Sequence, residues 1–139
     1  MGLASILVSV FVSNGLGFLW WSPGLFGKIW AECCYPGKSF DEIGKDCSPY
    51  VHLSAGIAHA AVALLIQLLM AMLHLGSLST LICLIGALSG IVIMTQIPHH
   101  LYGGKHIISW FIEQGYDLMK IIFTCVIIYY LDYVLKLPF

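Results

Sequence analysis

Four apolar stretches, residues 3–21, 51–73, 78–97 and 107–131, fix what this chain can become. Each is close to the roughly 20 residues a helix needs to cross the hydrocarbon of a bilayer. Lipid offers no hydrogen bonds to a bare backbone, so each stretch must pair its own amides and carbonyls as a helix. Barrel strands would instead alternate apolar and polar over about ten residues. Composition agrees: 60% of the 139 residues are hydrophobic and 9% charged, against about a quarter charged in soluble domains. The expected fold is all-α, a single polytopic membrane domain over residues 1–139 with four transmembrane helices in an antiparallel bundle. Only residues 74–77 separate the second and third stretches, which makes them antiparallel neighbours, and Pro98 is expected to end the third. The first lacks a basic leader and an Ala-x-Ala cleavage site, so it reads as a span and not a signal peptide. The fourth carries Glu113, Asp117 and Lys120, which lower its hydropathy, and it is still read as a span.

Seven acids, six lysines and no arginine give a net charge of -1, so no basic face exists to hold nucleic acid. Lysines gather on the cytoplasmic side of short loops. Loops one and three hold Lys28, Lys38, Lys45 and Lys105, against Lys136 on the other side. Those loops are placed in the cytoplasm and both termini outside.

Loop one, residues 22–50, has order of its own. Leu25, Phe26, Ile29 and Trp30 recur at helical spacing after Ser22-Pro23, which predicts a short interfacial helix. Trp20, Trp21 and Trp30 are expected to form part of an aromatic belt at the headgroups. Pro23 suits a first helical position, Gly27 would let another backbone come close, and Lys28 can snorkel to phosphates. Ser39 and Glu42 fit a capping box for a second short helix.

The run Gly17-Phe18-Leu19-Trp20-Trp21-Ser22-Pro23-Gly24-Leu25-Phe26-Gly27-Lys28-Ile29-Trp30 resembles the opening signature of a mostly bacterial family known as domain of unknown function 1761. The likeness extends to the short acidic helix of loop one, the four-span layout, the turn Tyr102-Gly103-Gly104-Lys105 and the pair Gly115-Tyr116 on the last span. Asp117 and the Cys33-Cys34 pair fall outside that pattern. The resemblance implies a small polytopic protein of a bacterial cytoplasmic membrane and assigns it no activity.

Counting about 1.5 Å per residue from the cytoplasmic side places Asn14, His59 and Glu113 at similar depth, Asp117 slightly further in, and Lys120 and Gln67 deeper. On the fourth span His106, Glu113, Asp117, Lys120 and Thr124 share a face, and His52, Gly56, His59, Ala63 and Gln67 do so on the second. A charge at the bilayer centre costs about 2.5–3.5 kcal/mol, so both faces should turn inward. Two readings stand. In one, Asp117 pairs with Lys120, Glu113 bonds Asn14 or His59, and the cluster is interhelical glue. In the other, these groups line a polar cavity that binds or relays a proton, ion or small polar solute.

Small residues at Ser5, Ser9, Ser13 and Gly17, and at Gly86 and Gly90, offer flat faces to other helices, within a subunit or between subunits. A homo-oligomer or an accessory role beside other membrane subunits is therefore expected. Cys33, Cys34, Cys47, His52, His99, His100 and His106 gather near one membrane face, but no CxxC or HxxxH spacing points to a metal. No cofactor is expected. Cys83 and Cys125 are read as packed apolar residues. No G-x-S-x-G, phosphate loop, H-E-x-x-H or dinucleotide fingerprint occurs, so no motif supports an enzyme.

Overall fold

The computed structural model describes residues 2–46, 48, 50–104 and 106–136. Cys47 and Lys105, both singled out above, lie outside the described residues. Among the described residues six α-helices follow one another: α1 (Leu3–Trp20), α2 (Gly27–Cys34), α3 (Phe40–Asp46), α4 (Tyr50–Met72), α5 (Leu78–Tyr102) and α6 (Ile107–Ile128). A π-helical turn, Tyr129–Val134, continues α6. No strand occurs among the described residues.

Helices α1, α4 and α5 are long and apolar enough to cross a membrane. α6 has 22 residues, about 33 Å of helix, yet its three charged residues set it apart. Its surroundings account for them. α6 packs against α1, α2, α4 and α5 together and buries Ser109, Ile112, Gln114, Ile121, Thr124, Cys125 and Ile128, so its polar side chains meet other helices. The outward faces are the reverse: Phe11 is 81% exposed, Leu101 71% and Ile82 61%. An apolar surface of that extent suits lipid and not water.

One aliphatic core joins Ala63, Ile66 and Met70 of α4, Leu75 of the link that follows, Leu81 and Leu84 of α5, and Ile121, Cys125 and Ile128 of α6. Ser5, Ser9 and Ser13 of α1 are also buried, so the small-residue stripe of α1 is spent inside the chain. In α5 the small residues face outward, since a methyl group added at Gly86 or Gly90 would meet nothing within 4 Å.

Two expectations fail here. Pro98 does not end α5, which runs on to Tyr102. The proline forfeits a single amide bond, the one to the Met94 carbonyl, and Gly103 and Gly104 close the helix by donating to the carbonyls of His99 and Leu101 at 3.0 and 3.3 Å. Cys83 is exposed on α5 and not packed, whereas Cys125 is fully buried.

Candidate ligand cavity beneath loop one

Between α1 and α2 the chain reverses through a turn centred on Ser22, whose carbonyl accepts the amides of Leu25 and Gly27 at 3.2 and 3.1 Å. Pro23 lies within this turn. The short helix therefore begins at Gly27 and not at the proline, because the reversal must be completed first. Gly27 does provide the close approach: a Cβ there would stand 2.8 Å from the Trp21 carbonyl carbon and 2.9 Å from the Phe40 ring. Lys28 and Leu25 are exposed.

The capping box starts α3. Ser39 donates its amide to Glu42 Oε2 at 2.8 Å and its hydroxyl to the same atom at 2.9 Å, and Glu42 returns its amide to Ser39 Oγ at 3.3 Å. The Ser39 amide, then its hydroxyl, hold the Glu42 carboxyl below its ordinary range. Phe40, the first residue of α3, reaches back over Gly27.

The tryptophans of the signature are half-buried, and two of them bond to α6. Trp20 Nε1 donates to the Ile112 carbonyl at 3.1 Å, and Trp30 Nε1 donates to Glu113 Oε1 at 2.9 Å. Trp21 packs edge-on against Trp30, centroids 5.2 Å apart, and lies 5.8 Å from the Tyr116 ring. A covered indole needs a partner for its N–H, and α6 supplies two. The contact between α1 and α6 is reciprocal: Trp20 fills the space a side chain at Gly115 would need, at 2.9 Å, and Tyr116 fills that of Gly17, at 3.1 Å. Four separated positions of the signature thus form one interlocked joint.

Beneath this joint lies a cavity of about 510 Å³. Asn14 and Phe18 of α1, with Trp21 just beyond its end, wall one side and His52, Ala55 and His59 of α4 the other, with Trp30, Phe40 and Ile43 of loop one above and Tyr116 of α6 below. Tyr116 Oη donates to the Ser13 carbonyl at 3.3 Å and lies 3.3 Å from His59 Nε2. The other ring nitrogen of His59, Nδ1, is buried without a partner. Asn14 Nδ2 donates to the Val10 carbonyl at 2.8 Å. Phe18 and His52 stack across α1 and α4 with centroids 5.6 Å apart.

The five residues of the expected polar cluster separate into three settings. Asn14 and His59 border the cavity. Glu113 receives the Trp30 indole, where Asn14 or His59 had been expected. Asp117 and Lys120 pair at 2.6 Å, with side chains 26% and 17% exposed, and the Lys120 ammonium sits 5.2 Å from the centre of the Tyr116 ring. Covered to that degree, the ion pair is turned into the protein.

Sequence reasoning missed two things. Tyr116 is the hub linking α1, α4 and the cavity; its place in the Gly115-Tyr116 pair was the available signal. At the other end of the molecule Gln67 Nε2 lies 2.7 Å from Asp132 Oδ2 and 3.0 Å from both the Gly2 carbonyl and Ser5 Oγ. Asp132 follows Thr124 by eight residues and so continues its buried stripe. The histidines and cysteines do not converge: among the described residues no three His, Cys, Asp or Glu side chains are placed to hold a metal ion. His100 is buried beside Trp110, their rings 6.2 Å apart.

No curated protein and no solved structure matches the chain. The family model described as "Protein of unknown function (DUF1761)" matches residues 4–129, from the first turn of α1 to the end of α6 and including the whole joint and the cavity it covers, and the chain belongs to that family.

Proposed function

We propose that this protein is a four-span integral protein of a bacterial cytoplasmic membrane that binds a small molecule in the cavity beneath loop one. α6 is the fourth span, at the centre of an antiparallel bundle, with loop one cytoplasmic and both termini outside. Several contacts support the antiparallel arrangement: Gly17 of α1 meets Tyr116 of α6, Gly2 meets Asp132 beyond the far end of α6, and Gln67 near the end of α4 meets Ser5 near the start of α1.

The observation that carries binding is the cavity itself. At about 510 Å³ it falls within the roughly 300–1,000 Å³ of small-molecule sites, and like them it joins apolar walls to a few converging polar groups. The contacts of the charged groups support the first of the two expected readings, interhelical glue. Glu113 and the Asp117–Lys120 pair are tied to protein partners and hold the joint, while Asn14, His59 and Tyr116 face a ligand.

A second reading, an accessory subunit or a homo-oligomer, is favoured by one observation: α5 packs chiefly on α6 and leaves Gly86 and Gly90 open. Purification from native membranes, followed by native mass spectrometry and organic extraction, separates the two. A small molecule held by the wild type and absent from an Ala55→Trp variant supports cavity binding. Stoichiometric foreign subunits, with the extracts of wild type and variant identical, overturn it in favour of the accessory role.

A further inference from the structure

We infer that the ligand is an uncharged, flat ring compound with a hydroxyl or carbonyl oxygen on its rim, and that it enters sideways between α1 and α4. This rests on the proposal that the cavity binds a small molecule and names what it takes.

The walls offer an ion little. None of the described residues that line the cavity is Asp, Glu, Lys or Arg, so a charged head would lose its water and find no counter-charge beyond what the imidazoles of His52 and His59 can offer. Ring faces and edges from Phe18, Trp21, Trp30, Phe40 and His52 border the space instead. Such surfaces suit the offset or edge-on packing of another ring better than a mobile alkyl chain.

The floor asks for an oxygen. The Tyr116 hydroxyl donates to the Ser13 carbonyl and lies against His59 Nε2, which donates or accepts according to its tautomer, each at 3.3 Å. Good O–H···O bonds measure about 2.5–3.0 Å, so both contacts are long. An oxygen on the ligand rim that comes within about 2.8 Å of this hydroxyl gives it a better bond than it has. The hydroxyl and His59 together offer both a donor and an acceptor, and a phenolic or ketonic oxygen can use them without carrying charge.

The mouth is on the membrane side. Phe18 is 67% exposed, Val51 49% exposed, and the exposed His52 stacks on Phe18. These residues stand where α1 ends and α4 begins, the level at which amphipathic rings settle in a bilayer. A ring compound dissolved there reaches the cavity by parting one stacked pair, with no passage through water.

The test uses the full chain in nanodiscs and two probes, 2-methyl-1,4-naphthoquinone and decanoic acid, with calorimetry and quenching of Trp21 and Trp30 fluorescence as readouts. Expected is saturable binding of the quinone and weak or no binding of the acid. Ala55→Trp should abolish the saturable part while the helical signal and thermal midpoint hold. Tyr116→Phe should weaken quinone affinity by about 2- to 10-fold, the worth of one net hydrogen bond. If Tyr116→Phe proves unfolded, His59→Leu, which removes the imidazole nitrogens, serves in its place with the same expectation. Saturable binding of decanoic acid that Ala55→Trp abolishes, with none of the quinone, overturns the ring assignment and leaves cavity binding standing. Quinone binding unchanged by Ala55→Trp overturns the site itself. Binding of neither probe overturns the ring assignment, and the extraction experiment above then decides for or against the cavity.

Discussion

The two ends of the molecule are held together by different means. Toward the end of α6, Met70, Leu75, Cys125 and Ile128 are at most 1% exposed and pack as aliphatic filling with the serine stripe of α1 beside them. Toward loop one, the helices are spaced by rings, two indole N–H bonds and glycines cut to receive aromatic side chains, and the space left over is the cavity. Aliphatic filling inside a bilayer works through close contact, because lipid tails are as apolar as the side chains they would replace. The aromatic joint works at fewer, directional points, so it can enclose a hole without collapsing onto it. The filled end therefore resists collapse by packing, and the jointed end leaves space between its contacts.

The sharpest way to break that distinction is to excavate the filled end. Met70→Ala should lower global stability by about 2 to 3 kcal/mol, the low end of the range for soluble cores, since the cavity cost persists while the water-transfer part is largely absent in detergent or lipid. The check is a single, earlier unfolding midpoint in helical signal. Phe40→Ala removes a larger side chain, but one that borders a space already empty, and should move the same midpoint less. Equal shifts would mean that the two ends are one cooperative core.

Gly27→Ala probes the joint. Its methyl group would meet the backbone of Trp21, which no side-chain rotation can relieve, so a cost of about 1 to 3 kcal/mol is expected. It should be local: loop one becomes open to protease and tryptophan emission shifts to the red, while the midpoint of the filled end stays near that of the wild type. Trp30→Phe is milder. It keeps the ring contacts with Trp21 and Tyr35 and loses the indole bond to Glu113, worth about 1.5 kcal/mol for a charged acceptor. Loosening of α2 in hydrogen exchange, with α4 and α5 unchanged, is the expected pattern.

The filled end was far more legible in the sequence than the joint. Apolar runs of membrane length write the helices directly, and α1, α4 and α6 begin and end within a few residues of their expected bounds. The capping box of α3 was equally plain, because Ser39 and Glu42 act through bonds three residues apart. The joint depends on contacts about 90 to 100 residues apart in the chain, such as Trp20 with Ile112 and Gly17 with Tyr116, and no local period encodes those. The partners of the tryptophans were illegible for the same reason. An indole at the end of a span looks alike from the sequence whether it faces headgroups or a neighbouring helix. Charge was similarly ambiguous: Glu113, Asp117 and Lys120 on one helical face announce that the face is inward, but not that the acid is bonded by loop one and the other two by each other.

The smallest effect, and the most local, concerns pH at the edge of the joint. Hydrogen bonds from the Ser39 amide and hydroxyl stabilise the charged form of Glu42 and lower its titration below the ordinary value of 4.5. A carboxyl whose folded titration lies below its unfolded one contributes stability above the unfolded value, and that contribution is lost as pH falls through the folded value. The capping of α3 should therefore be intact near neutrality and fade below about pH 4.5. Because Glu42 is exposed, the loss should be confined to fraying of the first turn of α3. Hydrogen exchange of the α3 amides between pH 7 and pH 3, corrected for intrinsic rates, measures it, and Glu42→Gln should flatten the dependence. α3 roofs the cavity through Phe40 and Ile43, so the same acidification should speed ligand entry and exit in the wild type and not in Glu42→Gln. Were exchange in α3 to stay constant with pH while ligand rates changed, the roof would be held by Phe40 on Gly27 and not by its cap.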